Sequence, residues 1–181
     1  MKKRPILKEQ EKITAYRPNN FFADQLVYAR NQQLRRLMDI QEPQRVRMRE
    51  VGRIGGVQFL YDSACTDIHA LNYALESIGH PLYWITCSND ASLPYATLLP
   101  LVVEKVKSVI CIGEDNSRLV RLFSPYIEVF DCHTMEHAVK TAYYSAESGD
   151  VVLLSTPYAC NGAAADARNL QVSYRESVSE L

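Results

Sequence analysis

Long apolar runs are missing from this chain of 181 residues. No stretch approaches the about 18 consecutive apolar residues that a membrane-spanning helix requires, and the opening MKKRPILKEQEK lacks the apolar segment of a signal peptide. These absences predict a cytoplasmic protein with no membrane partner. The hydrophobic share of 47% suffices for one core with an appended arm, but the chain is too short for two ordinary domains.

Paired cysteines are also absent. The five cysteines are odd in number, widely spaced and free of any CxxC pair, which argues against a disulfide framework and predicts reduced thiols. Cys65, Cys87 and Cys160 lie near predicted strand ends, so a thiolate cluster is an alternative to inert thiols. No G-x-x-x-x-G-K-[ST] segment occurs anywhere, which excludes the common phosphate-binding loop of ATPases from this chain.

The formal net charge of −1 hides an asymmetry between the two parts of the chain. Residues 1–49 hold 12 Lys and Arg against 5 Asp and Glu, a net +7, whereas the remainder holds 8 against 16, a net −8. A basic arm on an acidic body can fold back on that body, meet an acidic partner or touch nucleic acid through phosphates. The first alternative is the favoured one, and a nucleic-acid partner is the least expected.

We predict two regions, a basic leader with an amphipathic helix at 1–42 and an α/β domain at 43–181. Residues 1–18 have few large apolar groups and are expected to be loosely held. Apolar residues then recur at helical spacing over about 20–40, with Asn19 or Asn20 as the N-cap and an end before Pro43. The apolar stripe of this helix needs cover, so we expect it to pack in cis, on a protein partner or across a homodimer.

From Val46 onward the pattern changes to that of a sheet. Two strands joined as a hairpin are predicted through a turn region at 52–56. Short, nearly all-apolar strands then alternate with helices of 9 to 14 residues. This alternation predicts an α/β fold: a Rossmann-like, mostly parallel sheet with helices on both faces, preceded by the amino-terminal β-hairpin and the helical arm.

Three polar segments follow predicted strands. They are YDSACTD at 61–67, TCSNDAS at 86–92 and STPYACNG at 155–162. Because ligands of open α/β sheets bind at the carboxyl ends of the strands, these segments are the candidate ligand site. Thr66 and Asp67 have an alternative role as the N-cap of the following helix, and capping is favoured for Asp67.

The same segments carry a family resemblance. The order PQRVRMREVGRIGGVQFLYDSACTD, LYWITCSNDAS and SGDVVLLSTPYAC resembles the C-terminal domain of the Mur ligases, nearest to the D-glutamate-adding branch, over residues 43 to about 176. The resemblance implies enzymes that make an acyl phosphate from ATP and a carboxylate, which an amino acid's amine then attacks. In them this domain supplies the amino-acid site and closes over the nucleotide.

The resemblance also implies a set of ligand-binding residues. Arg45 and Asp62 match the arginine and the aspartate on the nucleotide side, and Thr66 matches a threonine near the incoming amino acid. The full set comprises Arg45, Asp62, Ser63, Thr66, Asn89 and Ser155. Two lysines of the family pattern are alanine here, at Ala64 and Ala91.

The missing lysines and, more decisively, the missing phosphate-binding loop determine the expected function. D-glutamate brings two carboxylates that need cationic or multiple hydrogen-bonding partners once they leave water, and losing such a partner costs about 2 to 5 kcal/mol. We also expect no central ATPase domain before residue 43. We therefore expect a stand-alone, degenerate, non-catalytic binding or scaffold module. The alternatives are the amino-acid-binding subunit of a split ligase, with nucleotide or amino acid as ligand, and an unrelated small-molecule enzyme.

No catalytic residue, metal or cofactor is assigned from the sequence. His133 and His137 lie four residues apart at the start of a predicted helix, a spacing that can present two nitrogens to a metal. The Glu of an H-E-x-x-H motif is missing, because Thr134 follows His133. Ordinary surface or first-turn histidines are therefore favoured over a metal site.

Overall fold

A computed structural model describes residues 14–16, 47–63, 65–87, 93–157 and 164–181. For residues 14–16 and 164–167 only the backbone is described. The predicted amphipathic helix at 20–40 lies outside the described residues. So do two of the candidate ligand-binding residues, Arg45 and Asn89.

One sheet of seven strands organises the described chain. Its order from edge to edge is β1-β6-β5-β4-β7-β3-β2. The strands are β1 (Thr14–Tyr16), β2 (Met48–Ile54), β3 (Val57–Asp62), β4 (Leu82–Thr86), β5 (Val106–Ile112), β6 (Glu128–His133) and β7 (Val151–Leu154). The central five, β6-β5-β4-β7-β3, are parallel, and each edge strand is antiparallel to its neighbour.

The connections between these strands are helical. The helices are α1 (Ile68–Ser77), α2 (Leu99–Lys105), α3 (Ser117–Phe123), α4 (Met135–Ser145) and α5 (Ala164–Ser179), and a 3₁₀ turn at Tyr95–Leu98 precedes α2. The chain steps from β3 past one position to β4, continues outward through β5 and β6, and returns to insert β7 between β4 and β3. The return of β7 makes this a doubly wound sheet, in which the carboxyl ends of the strands near the reversal form a crevice.

The helices divide between the two faces of the sheet. Side chains of α1, α2 and α3 lie in one apolar core cluster, and those of α4 and α5 lie in the other. Strand β4 shows the alternation that serves both clusters, because Leu82 and Trp84 belong to the first and Tyr83 and Ile85 to the second. The burial of both strand faces explains why the central strands read as continuous apolar runs.

The predicted fold class is confirmed, and the hairpin is β2–β3 with its turn at Gly55 and Gly56. The expectation of a loosely held leader through residue 18 needs correction, because residues 14–16 form β1 on the edge of β6. Neither hydrophobic periodicity nor composition detects a three-residue strand, because its pairing is made by backbone hydrogen bonds that place little demand on the side-chain types. Among the described residues, no helix is both long enough and apolar enough to span a bilayer.

Candidate functional site

The carboxyl ends of β3, β7 and β4 lie side by side. These are the strands that the three polar segments follow, so the structure brings together the described parts of those segments at the reversal point of the sheet. The sequence predicted that edge from the carboxyl-end rule alone. It did not predict which strands are neighbours there.

Asp62, the last residue of β3, is the centre of the site. Its Oδ1 accepts a hydrogen bond from Arg47 Nε and its Oδ2 one from Arg47 Nη2, both at 3.0 Å. Ser155 Oγ, just after β7, donates to Asp62 Oδ2 at 2.9 Å. The side chain of Asp62 is 0% exposed and that of Arg47 is 14% exposed. The carboxylate is therefore neutralised by a bidentate ion pair inside the protein.

Arg47 reaches further into the neighbouring helix. Its Nη2 also donates to the backbone carbonyl of Ala70 in α1, and its guanidinium lies 5.5 Å from the ring centroid of Tyr73. Both the backbone N–H and the hydroxyl of Ser63 donate to Arg47 O at 3.0 Å. Arg47 thus joins the hairpin, the end of β3 and α1.

Arg47 is the residue that sequence reasoning missed. The family pattern pointed to Arg45, which lies outside the described residues, and nothing local distinguishes the two arginines. The available signal was the hairpin register: Met48 pairs with Asp62, which puts Arg47 opposite Ser63 and beside the carboxylate. The register can be predicted only when the turn is located at Gly55 and Gly56. The sequence placed the turn only within 52–56, so the register stayed open.

Thr66 and Asp67 immediately precede α1, and the structure shows which of them caps the helix. Asp67 is the N-cap, with Oδ1 accepting from the backbone N–H groups of His69 and Ala70 at 2.8 Å each. The bond from Ala70 N is the largest cause that holds the pKa of Asp67 below its ordinary value of 3.8. Thr66 is exposed and its Oγ1 donates to Asp67 Oδ2 at 3.4 Å. The capping prediction for Asp67 is confirmed.

On the β4 side, backbone groups are held by large side chains. Trp84 Nε1 donates to Ser155 O at 2.9 Å, and Tyr95 OH donates to Cys87 O at 2.9 Å. Cys87 Sγ lies 3.0 Å from Thr156 Oγ1. Arg118 Nη2 donates to Leu93 O at 2.7 Å. These bonds tie the segments after β4 and β7 to each other and to the core.

The structure also places the cysteines and histidines that the sequence offered as alternative sites. Cys65 and Cys87 are both buried, and they belong to the core clusters on opposite faces of the sheet, while Cys160 lies outside the described residues. Within the described part of the chain, no three His, Cys, Asp or Glu side chains converge as a metal site would need. The backbone N–H of His137 donates to Thr134 Oγ1, the N-cap of α4, at 3.3 Å.

The fold and this edge define a class of protein: a doubly wound α/β domain with an antiparallel hairpin at one edge and polar residues at the strand reversal. Among curated proteins, the chain is 38% identical over 132 residues to the UDP-N-acetylmuramoylalanine–D-glutamate ligase of Christiangramia forsetii. The aligned residues make up 72% of this chain and 30% of that protein. The ligase of the same name from Cytophaga hutchinsonii is 35% identical over 136 residues, covering 75% and 30%.

The chain therefore carries a Mur ligase-like α/β domain, and it spans about 30% of the length of these relatives. No family model matches the chain. A solved structure, a domain from a putative UDP-N-acetylmuramate:L-alanyl-γ-D-glutamyl-meso-diaminopimelate ligase of Haemophilus ducreyi, aligns with a TM-score of 0.49 and 13% identity, covering 72% of this chain and 98% of that one.

Proposed function

We propose that this Mur ligase-like domain is a stand-alone, degenerate member of its family that works in the cytoplasm as a binding or scaffold module and does not itself form amide bonds. The observation that carries the proposal is the state of Asp62. The resemblance assigns this aspartate to the nucleotide side of a ligase site, yet here both carboxylate oxygens accept bonds from Arg47 and Ser155 and the side chain is fully buried. The carboxylate contributes to the fold of the crevice.

Two substitutions in the sequence support the same proposal. The family pattern has lysines where this chain has Ala64 and Ala91. Each missing ammonium removes a partner for an acidic amino acid, at a cost of about 2 to 5 kcal/mol in binding. Thr66 is retained and exposed at the start of α1, but a hydroxyl alone does not replace a cation beside a carboxylate.

The first experiment offers the purified protein ATP, UDP-N-acetylmuramoyl-L-alanine and D-glutamate, and measures ADP release and product. We expect neither. Turnover by the protein alone would overturn the proposal.

A second experiment restores the missing cations. The double substitution Ala64→Lys, Ala91→Lys is expected to create or strengthen D-glutamate binding measured by calorimetry, because two ammonium groups return to the positions that the family pattern assigns to them. Ala64→Gln, Ala91→Gln is the matched control, which adds length without charge. Equal binding by the lysine and glutamine variants would show that the charge deficit is not what limits binding.

The second candidate function is that of the amino-acid-binding subunit of a split ligase completed by a separate ATPase. The 38% identity to D-glutamate-adding ligases favours it, together with the meeting of the β3, β4 and β7 ends. Calorimetry of the unaltered protein with D-glutamate, ATP and UDP-muramoyl peptide separates the two functions. A flat trace with all three ligands removes the second, and saturable binding of both D-glutamate and ATP favours the second over the first.

A partner surface is part of the proposal. We expect the predicted helix at 20–40 to bind a protein partner or a second copy of the chain through its apolar stripe. Light scattering compares the full chain with the variant Leu26→Glu, Leu34→Glu, in which two stripe residues carry charge. A dimer that becomes a monomer supports the homodimer, and a pull-down that loses a band supports a different partner. No change in either measurement removes the helix as a partner surface.

A further inference from the structure

The first two strands of the chain lie at opposite edges of the sheet. β1 is next to β6 at one edge and β2 is next to β3 at the other, with five strands between them. Both are antiparallel to a neighbour in the parallel block, so β1 and β2 run in the same direction. Tyr16 ends β1 beside Val129, near the amino end of β6, and Met48 begins β2 beside Asp62, at the carboxyl end of β3. The chain between them must therefore cross the sheet from edge to edge and from end to end.

The length of this connection fits a helical crossing. Adjacent strands lie about 4.8 Å apart, so the two edges are separated by about 29 Å. The helix that the sequence predicts at 20–40 would be about 31 Å long, because each residue adds about 1.5 Å. The few residues on either side of it, at up to about 3.5 Å each, suffice to reach over the helices that cover the sheet. One helix can therefore span the sheet.

The handedness of the fold selects the face that is crossed. Connections between parallel strands of one sheet nearly all have the same right-handed sense. From β3 to β4, β5 and β6 the chain steps toward the β1 edge through α1, α2 and α3 on one face, whereas α4 steps back on the other face. The step from β1 to β2 reverses both the strand direction and the direction along the sheet, which leaves the face unchanged. The connection therefore belongs on the face of α1, α2 and α3.

That face offers both apolar and acidic side chains. On α2, Leu99 and Val103 are half-buried and pack against the core beneath them. Glu104 on α2 is exposed, and Glu76 on α1 is half-buried. The predicted helix carries an apolar stripe, and its central part, 25–38, holds three arginines and no acidic residue. Each kind of side chain on this face therefore has a counterpart in the helix.

We propose that the segment at 20–40 docks as a helix across the outer surface of α1 and α2 of its own chain. Its apolar stripe contacts Leu99 and Val103, and its arginines lie near Glu76 and Glu104. Surface ion pairs add little, so the apolar contacts and the short tethers to β1 and β2 hold the helix. The inference does not depend on the proposed function. The partner surface proposed above uses the same stripe, so a partner must displace the helix from α1 and α2.

Photo-crosslinking tests which face the segment covers. A photo-crosslinking amino acid replaces Glu104 on α2 in one variant and Tyr144, exposed on α4 at the opposite face, in the matched control. Mixing isotope-labelled and unlabelled chains separates crosslinks within one chain from those between two. We expect the α2 position to crosslink to 20–40 within one chain and the α4 position not to do so. Crosslinks to 20–40 from α4 instead, crosslinks between chains only, or none from α2 overturn the proposal.

Trypsin measures how firmly the segment is held, because it cuts after arginines that are released from the fold. Glu76→Lys, Glu104→Lys reverses the two charges on α1 and α2, and Glu176→Lys, Glu180→Lys makes the same change on α5, at the opposite face. We expect cleavage within 25–38 to be about threefold faster or more in the first variant and unchanged in the second. Equal rates in both variants overturn docking on α1 and α2. Thermal unfolding checks the fold of each variant, and if either fails to fold, the crosslinks decide.

Discussion

Two ion pairs lie at opposite ends of the same sheet. At the carboxyl ends, Arg47 and Asp62 form a bidentate pair whose side chains are 14% and 0% exposed. At the amino ends, Lys107 Nζ lies 2.9 and 2.8 Å from the two oxygens of Asp150, and these side chains are 37% and 5% exposed. Each pair has one buried carboxylate, and the cation differs.

The difference between the cations determines what each pair can contribute. The planar guanidinium of Arg47 matches the carboxylate and contacts α1 at the same time, whereas the ammonium of Lys107 is a point charge that remains open to water. Asp150 also accepts from the backbone N–H of Glu147 at 2.8 Å, so it keeps a partner when the lysine leaves. The carboxyl-end pair should therefore be the more costly one to break.

The largest effect is expected for Asp62→Ala. It leaves Arg47 mostly buried without its anion, and we expect a loss of about 3 to 5 kcal/mol in the free energy of unfolding. Urea denaturation measures it. The paired substitution Arg47→Met, Asp62→Leu should recover most of the loss, because no charge is then left unpaired. A loss under about 1 kcal/mol for Asp62→Ala would mean that the pair is not structural.

A smaller effect is expected for Asp67→Ala. Asp67 lies at the same end of the sheet as Asp62 but is exposed, so this variant tests whether burial or place in the sheet sets the cost of losing a carboxylate. Removing the N-cap of α1 should cost about 1 kcal/mol, with Thr66→Ala as the near-neutral control. The pKa of Asp67 is lowered in the folded state, so its contribution is present above the ordinary value of 3.8 and is lost as the pH falls through the folded pKa. Urea midpoints between pH 3 and pH 6 check the sign.

Lys107→Met should have the smallest effect on stability, up to about 1 kcal/mol, because the ammonium is partly hydrated already. A loss as large as that of Asp62→Ala would erase the contrast between the two pairs. Arg121→Met, at an exposed arginine of α3, is the control.

The amino-end pair can also be probed through Tyr83. Its ring lies 5.9 Å from Lys107 Nζ, and burial, followed by the Asp150 carboxylate, raises the pKa of Tyr83 to about 12. Asp150→Asn removes that negative charge and should lower this pKa, measured by ultraviolet absorbance. An unchanged or higher pKa would contradict the assigned cause.

Several elements were predictable because their signals are local. Strands β4 and β7, at Leu82–Thr86 and Val151–Leu154, are short, nearly all-apolar runs of the kind predicted. Asp67 caps α1, as expected of a short polar residue before an apolar helix. The carboxyl-end rule predicted that the polar segments lie at one edge of the sheet. These inferences need only a few neighbouring residues each.

The candidate site was only partly predictable. Asp62, Ser63 and Ser155 were predicted and lie together, but Arg47 was not, because its contact with Asp62 joins residues fifteen positions apart through a hairpin register. The pairing of β1 with β6 was missed for a related reason. It joins residues more than a hundred positions apart, and nothing in the three residues of β1 specifies that partner.

By itself the sequence determined the alternation of strands and helices, because the spacing of apolar residues is a local property that both faces of a sheet impose. Only the tertiary structure decided that β7 inserts between β4 and β3, and that insertion puts Ser155 against Asp62. It also decided which arginine neutralises the buried carboxylate. Both outcomes depend on long-range packing, because only one compact arrangement of the strands gives the buried carboxylate its ion pair and hydrogen bonds. The pattern of apolar and polar residues along the sequence does not distinguish that arrangement from other strand orders.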